Sequence, residues 1–337
     1  MRGRLLGAVA VAVSLVVAVA LWGGHSPASG QAKPGAKKLD FPHITAPPES
    51  SAVAFKWMAE ELTKRSGGGL NVVFHGSTLL NKELEIMDAV KSGNVAIGCP
   101  SGAASTVFPE MGVFLTPYLV RDYKHAYTMF NGEIGKNLDQ LFQTKYKVKI
   151  LYFFDFGFRH FWNSKRPINT PADLKGLKMR VQQGRVFADT VNGLGANAVP
   201  MPFGEVIPAV QQGVIDGADL PIVNINALKI YEISKFASMT YHNYGPTVVV
   251  MNLEIWKGLT PEQQKLILEV SAQAQKMVRE ATESVDNFAK AKEILEAKGM
   301  KVNQADVASF RKLAEEKIWP AYRTQFAEMW DKIVAVK

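Results

Sequence analysis

The chain has 337 residues, a formal net charge of +8, 47% hydrophobic residues and a single cysteine. One cysteine excludes an intrachain disulfide, and a chain of this length can instead be stabilised by burying a large apolar core. The Lys and Arg residues are dispersed, so the charge indicates a mild preference for anionic ligands or surfaces and gives no specific support for nucleic-acid binding.

The first predicted element is an export leader at residues 1–32. Arg2 and Arg4 precede a largely apolar run at residues 5–22, and small residues follow as far as Ala32. This layout is typical of a secretory signal peptide, and cleavage near Ala32 leaves 305 residues (337 minus 32). The apolar run is also nearly long enough to span a bilayer, so an uncleaved anchor is the alternative. Either interpretation predicts export.

From Leu39 onward, short β-type segments alternate with helical patterns, which predicts an α/β fold with parallel strands. The first helix is predicted at Ser50–Arg65, ending at three glycines, and a strand is predicted at residues 70–74. The glycines follow a helix and precede a strand, the reverse of the order in a phosphate-binding loop. They therefore indicate the end of a helix and not a phosphate site.

A nine-residue pattern at residues 85–93 occurs again at residues 205–213. The identical pairs are Glu85/Glu205, Ala89/Ala209, Val90/Val210 and Gly93/Gly213. Each copy predicts a helix that ends at glycine, followed by a short buried strand at residues 95–97 or 214–215. Two similar α/β lobes that face each other form a cleft, which is a preferred place for a small-molecule site. A chance match over so short a window is the alternative.

The C-terminal part predicts a long helix with a bend or break. Thr260, Pro261 and Glu262 supply an N-cap, a proline at the first helical position and an acidic first turn, and helix-forming residues continue to about Lys298. The last predicted elements are a strand at residues 301–302 and helices at residues 304–317 and 320–336. The long helix either runs beneath both lobes or packs on one of them.

Patterns for catalysis are poorly represented in the sequence, and no histidines form a metal-ligand pair at helical spacing. The six histidines are scattered, and no serine lies in a nucleophile-elbow pattern. Residues 176–181 predict a strand with Arg180 near its carboxyl end, where open α/β sheets bind ligands. A planar guanidinium binds a carboxylate through two parallel hydrogen bonds. Arg159 is a second candidate, and a structural salt bridge is the alternative role for each arginine.

Several motifs in combination resemble the substrate-binding proteins of TRAP transporters, of the DctP type. They are residues 157–159, 163–168, 173–181, 202–206 and 213–217, with residues 108–110 and 117–119 in the first lobe and residues 259–262 at the start of the long helix. The resemblance spans essentially the whole mature chain. It implies a bilobal periplasmic-binding-protein fold with a hinge, in which residues 33–156 plus 246–285 form lobe I and residues 157–245 plus 286–337 form lobe II.

The resemblance also implies a function. It predicts a periplasmic protein that closes its lobes over a small organic-acid anion and delivers it to TRAP membrane permease subunits, without a cofactor, a metal ion or catalysis of its own. A binding protein that senses its ligand for a membrane receptor is an alternative, and an enzyme built on the same bilobal fold is another.

By the same resemblance, five residues are expected at the ligand. Arg180 matches the arginine that clamps the carboxylate, Arg159 resembles a second arginine facing the ligand, and Phe203 resembles an aromatic residue that packs on it. Ser101 and Glu83 fall near pocket positions of the first lobe.

Asp219 and Leu220 complete the predicted site. Many relatives place an asparagine after the Asp-Gly turn to help hold the carboxylate, whereas this chain has Leu220 there. The departure favours a ligand less polar than a sugar acid or a small dicarboxylate, and which acid it is stays open.

Overall fold

The computed structural model describes residue 33 and residues 35–337, so the predicted leader at residues 1–32 lies outside the described part of the chain. The strands there are β1 (Lys38–His43), β2 (Asn71–Gly76), β3 (Ile97–Gly98), β4 (Val148–Asn163), β5 (Lys178–Val181), β6 (Asn197–Pro200), β7 (Gly217–Leu220), β8 (Phe236–Asn252) and β9 (Lys301–Gln304). The helices there are α1 (Ser50–Arg65), α2 (Glu83–Ser92), α3 (Ala104–Val107), α4 (Tyr123–Asn131), α5 (Glu133–Leu141), α6 (Arg185–Gly193), α7 (Val206–Gln211), α8 (Ile222–Ala227), α9 (Leu253–Lys257), α10 (Pro261–Glu283), α11 (Phe288–Glu296), α12 (Val307–Lys317), α13 (Trp319–Gln325) and α14 (Ala327–Ala335). This content confirms the predicted α/β class. Within the described residues, no helix has both the length and the apolar character needed to cross a membrane.

Helix α1 has the predicted bounds, and its two ends explain them. The Glu49 carboxylate accepts hydrogen bonds from the backbone N–H groups of Ser51 (3.2 Å) and Ala52 (3.1 Å), which have no partner inside the helix. After the helix, Gly67 and Gly68 take positive φ values of 59° and 79°. The conformational freedom of glycine thus turns the chain into β2.

The two copies of the repeated pattern have the same local structure. Helices α2 and α7 are both followed by a glycine with positive φ, Gly93 at 79° and Gly213 at 70°. The strands predicted directly after these glycines begin later, at β3 and β7. The backbone N–H groups of Val95 and Val214 bond back to a carbonyl of the preceding helix (3.1 and 2.9 Å), which keeps both residues in the turn.

A seven-stranded mixed sheet runs through the molecule in the order β3-β8-β4-β7-β5-β6, with β9 paired to β8. Strand β5 pairs in parallel with β6 and β7, but the long central strands β4 and β8 are antiparallel. The expectation of parallel strands is therefore wrong for the centre of the sheet. The chain that leaves β4 at Asn163 builds β5, β6 and β7 and returns beside the same end of β4 at Phe236, which fixes opposite directions.

Strands β4 and β8, with 16 and 17 residues, each extend across the molecule. The first half of β4 pairs with the second half of β8, next to β3, whereas the second half of β4 pairs with β7 and the first half of β8. A register shift between Asp155 and Phe158 of β4 separates the halves. The predicted lobe limits at residues 156 and 245 lie near this shift, and the division into lobes remains a prediction.

Three apolar cores are described around the long strands β4 and β8. One includes α1, β1, the start of β4 and α10, and another includes α7, α8, β7 and α11. A third includes α4, α5, α6 and the C-terminal helices α12, α13 and α14. The long helix breaks between Glu283 and Phe288, as predicted, so α10 and α11 pack on different cores. In the break, Asp286 accepts hydrogen bonds from Phe158 N (2.9 Å) and His160 Nε2 (3.1 Å) of β4.

The predicted start of α10 is confirmed by a reciprocal cap. Thr260 Oγ1 accepts from Gln263 N (3.2 Å), and Gln263 Oε1 accepts from Thr260 N (3.0 Å). We expect Thr260→Ala to lower the free energy of unfolding by about 1 kcal/mol, measured by urea denaturation. Thr128→Ala is the control. Thr128 is a solvent-exposed residue in the middle of α4, and its hydroxyl bonds only to a carbonyl of the same helix. Equal losses in the two variants would contradict the capping role.

Candidate functional site

A cavity with an empty volume of about 510 Å³ lies where elements of both predicted lobes meet. Six predicted site residues line it: Glu83, Ser101, Arg159, Arg180, Phe203 and Leu220. The carboxyl ends of β1, β3, β5 and β7 all lead into the wall, where the ligand rule for open α/β sheets places a site.

Arg180 lies on β5, between β6 and β7, and is 3% exposed. Its Nε and Nη2 donate to the carbonyl oxygen of Met201 at 3.1 and 2.9 Å. The ring of Phe203 lies 5.8 Å from its Cζ. Burial and the neighbouring charge of Arg159 lower the pKa of Arg180 to about 10, so the group stays cationic at neutral pH. It forms no salt bridge with any described residue and keeps further N–H groups for an anion.

Arg159, on β4, also lines the cavity, but an internal acid compensates its charge. Its Nε lies 2.6 Å from Asp219 Oδ2, and its Nη2 lies 3.1 Å from Asp219 Oδ1. In the orientation that satisfies both groups, the Gln182 amide oxygen accepts from Arg159 Nη1 and Nη2 at 2.8 and 2.7 Å. Arg159 therefore contributes a rigid, largely neutralised part of the wall.

Asp219, predicted among the ligand-binding residues, lies behind Arg159 and not on the cavity wall. It also accepts from His242 Nε2 at 3.2 Å, and the other ring nitrogen of His242 is 2.8 Å from Thr240 Oγ1. Burial alone would raise the pKa of Asp219, but the charge of Arg159 and the bonds from His242 and Arg159 hold it well below its usual range. Burial lowers the pKa of His242, so the ring is neutral.

Glu83 and Ser101 bring the first predicted lobe to the wall. Glu83 is the first residue of α2 and is half-buried. Burial raises the pKa of Glu83, while a backbone hydrogen bond and the charge of Arg180 oppose the change. Ser101 follows β3 with a positive φ of 44°, and its backbone N–H faces Cys99 Sγ at 3.3 Å. An acid from one side of the cavity therefore lies near the arginine from the other.

Large apolar side chains complete much of the wall. Phe203 and Leu220 come from the predicted set, and Phe156, Leu228 and Ile44 join them. Leu220 is 6% exposed. The cavity thus combines one free cation, among the described residues, with a hydrocarbon surface.

Comparison with known proteins identifies the family. The family model described as bacterial extracellular solute-binding protein, family 7 (DctP), matches residues 41–328. The chain is 35% identical over 268 residues to a solute-binding protein of Verminephrobacter eiseniae, covering 79% of each chain. It is 33% identical to the 2,3-diketo-L-gulonate-binding periplasmic protein YiaO of Escherichia coli, covering 71% of this chain and 73% of that one. A TRAP periplasmic solute binding protein from Pseudomonas putida with bound D-glucuronate superposes with a TM-score of 0.82 at 30% identity, covering 89% of this chain and 98% of that one.

The chain belongs to the DctP family. The predicted resemblance to TRAP solute-binding proteins is therefore confirmed, and so is the bilobal fold class that it implied. The relatives and the structural neighbour of this DctP-family protein that are named above are solute-binding proteins, and two of them carry the word periplasmic in their names. Within residues 33 and 35–337, no group of three His, Cys, Asp or Glu side chains is arranged to hold a metal ion.

Sequence reasoning missed part of the wall of this DctP-family protein. His43, Glu49, Gln182 and Asn224 line the cavity beside the predicted residues. His43 ends β1, and Gln182 directly follows β5, so the strand-end rule that selected Arg180 would have found both. Glu49 caps α1, and a cap has no sequence signal for facing a ligand. Asn224 lies on the short helix α8, and its position depends on tertiary packing alone.

Burial of His43 predicts that the stability of the folded chain depends on pH. Burial lowers the pKa of His43 from 6.5 to about 4. As the pH falls below about 6.5, the unfolded chain takes up this proton before the folded chain does, so stability is complete above that pH and declines towards about pH 4. We expect the free energy of unfolding to fall by about 2 kcal/mol more between about pH 7 and about pH 5 in the wild type than in His43→Gln, by urea denaturation. Equal pH dependence in the two proteins would contradict a neutral buried His43.

Proposed function

We propose that this protein is the periplasmic ligand-capturing component of a TRAP-type transporter, which binds a small organic-acid anion between two lobes and delivers it to the membrane permease subunits. The observation that carries the proposal is Arg180, a buried cation on the cavity wall whose described hydrogen bonds go only to a backbone carbonyl. A buried unpaired charge is costly, so an anionic partner in the cavity is favoured.

The relatives support the choice of ligand class. Their names or bound ligands specify 2,3-diketo-L-gulonate, C4-dicarboxylates and D-glucuronate, which are all carboxylates. Export through the leader, with cleavage near Ala32, places the protein in the periplasm, where it meets the ligand before the permease does. Closing the lobes excludes water from Arg180 and strengthens its bond to the carboxylate. Because the relatives and structural neighbours named above are solute-binding proteins, the proposed role is capture without chemical change.

Mass spectrometry of small molecules released from the purified protein, followed by a thermal-shift screen across organic acids, tests the proposal. We expect a carboxylate to be released and the same compound to raise the melting temperature. A protein that releases no carboxylate and responds to no acid in the screen would contradict the proposal. Conversion of a bound acid into a product would favour an enzyme.

A further inference from the structure

One part of the cavity wall presents hydrogen-bond acceptors. His43 Nδ1 and Asn224 Oδ1 are buried, and within the described residues neither has a hydrogen-bond partner. The two residues are 1% and 7% exposed and line the same cavity as Arg180. An unpaired buried acceptor is unfavourable, so both atoms favour a ligand that brings a donor.

The bonds around His43 make its Nδ1 an acceptor. The single hydroxyl proton of Ser51 is donated to Glu49 Oε2, at 2.5 Å. The Ser51 oxygen can then only accept from His43 Nε2, which lies 3.1 Å away. The ring is neutral because burial disfavours its charged form, so Nδ1 carries a lone pair and no proton.

Glu49 and Asn224 extend this acceptor region. Both oxygens of Glu49 accept bonds from the start of α1, and Thr45 Oγ1 donates to Oε2 at 3.0 Å. The Asn224 amide nitrogen faces Glu49 Oε1 at 3.5 Å, which leaves Oδ1 as its free atom. The region therefore combines a carboxylate with lone pairs. The Thr45, Ser51 and Asn224 donors are directed at Glu49, and the His43 Nε2–H is directed at Ser51 Oγ.

The charges of the wall disfavour a second anionic group on the ligand. Asp219 neutralises Arg159, which leaves Arg180 as the arginine of the wall without an acidic partner among the described residues. Glu49 and Glu83 add carboxyl groups to the same wall. A second ligand carboxylate would meet like charge and acceptor atoms without donors.

We propose that the ligand is an organic acid with one carboxylate and a separate hydrogen-bond donor, a hydroxyl or an ammonium, and that the cavity rejects dicarboxylates. The inference rests on the proposed function, because Arg180 binds the carboxylate, and it goes further by naming His43, Glu49 and Asn224 as the residues that select the ligand. Leu220 and Leu228 suit the methylene groups that join the two ends.

Matched straight-chain acids of four to six carbon atoms test the inference by isothermal titration calorimetry. At each length we compare four acids that differ only at the end opposite the carboxylate. That end carries no substituent, a hydroxyl group, an amino group or a second carboxylate. We expect the better of the hydroxy and amino acids to bind about tenfold more tightly than the unsubstituted acid, and the dicarboxylic acid to bind at least about tenfold more weakly than that better ligand. Whichever donor binds more tightly identifies the group that the acceptors prefer.

Asn224→Leu isolates the acceptor region. We expect this variant to lose about tenfold more affinity for the better donor-bearing acid than for the unsubstituted acid, so that the preference for a donor disappears. Asn226→Leu is the matched control, because Asn226 lies on the same helix and does not line the cavity. The control is expected to keep the wild-type preference.

This design distinguishes failure of the inference from failure of the proposed function. Dicarboxylic acids that bind as tightly as hydroxy and amino acids, or a preference for donors that survives in Asn224→Leu, would overturn the inference and leave the proposed function intact. Absence of binding by every acid, including any acid released from the purified protein, would overturn both.

Discussion

Arg180→Ala is expected to weaken binding of the acid at least about 30-fold, because truncating one partner of a buried charged contact costs about 2–5 kcal/mol. Arg180→Lys keeps the charge but loses the planar pair of donors, so an intermediate affinity is expected. Isothermal titration calorimetry with the acid released from the purified protein measures the effect. Urea denaturation of each variant verifies that it is folded.

Arg185→Ala is the control for this experiment. Arg180 lies in β5, near its carboxyl end, and Arg185 lies shortly after that strand. The Arg185 side chain is 81% exposed and pairs with Asp189 at the surface. We expect its affinity to stay within about twofold of the wild type, since exposed pairs contribute little. An Arg180→Ala protein that binds within about threefold of the wild type would show that the carboxylate lies elsewhere.

Asp219→Asn is expected to lower the free energy of unfolding by about 3–5 kcal/mol, because it leaves the buried guanidinium of Arg159 without its compensating charge. The pH dependence has the same origin. The pKa of Asp219 is depressed in the folded state, so its contribution is complete above the unfolded carboxyl value near 4 and is lost as the pH falls further. Chemical denaturation at neutral pH and below about pH 4 measures both effects.

Two variants sharpen this prediction. Asp331→Asn, at an exposed position in α14, is expected to change stability by less than about 0.5 kcal/mol. Adding Arg159→Met to Asp219→Asn removes the orphaned charge and is expected to recover part of the loss, so the two effects are not additive. A loss below about 1 kcal/mol in Asp219→Asn would mean that water or a rearranged neighbour replaces the acid.

Local signals in the sequence predicted much of the fold. The bounds of α1, the cap at Thr260 and the glycine ends of α2 and α7 all follow from interactions within a few residues along the chain. The antiparallel pairing of β4 with β8 joins segments far apart in sequence, and no local pattern distinguishes it from a parallel arrangement. The expected alternation of strands and helices was therefore right, while the direction of the central strands was wrong.

The candidate site was also predicted only in part from the sequence. Arg180 was predicted from its place at the end of a strand and from the family resemblance, and it lines the cavity. The compensation of Arg159 by Asp219 depends on the pairing of β4 with β7, which the sequence alone does not specify. His43, Glu49 and Asn224 meet only after β1, α1 and α8 pack together, so their shared role as acceptors is a property of the folded chain.

Glu49 has two tasks at once, since its carboxylate starts α1 and also forms part of the cavity wall. Any substitution that adapts this wall to a different cargo also disturbs the beginning of a helix that packs in the protein core. Adaptation to a different ligand is therefore easier through Asn224, whose side chain starts no helix and belongs to no apolar core, and directed-evolution libraries are best concentrated at that position.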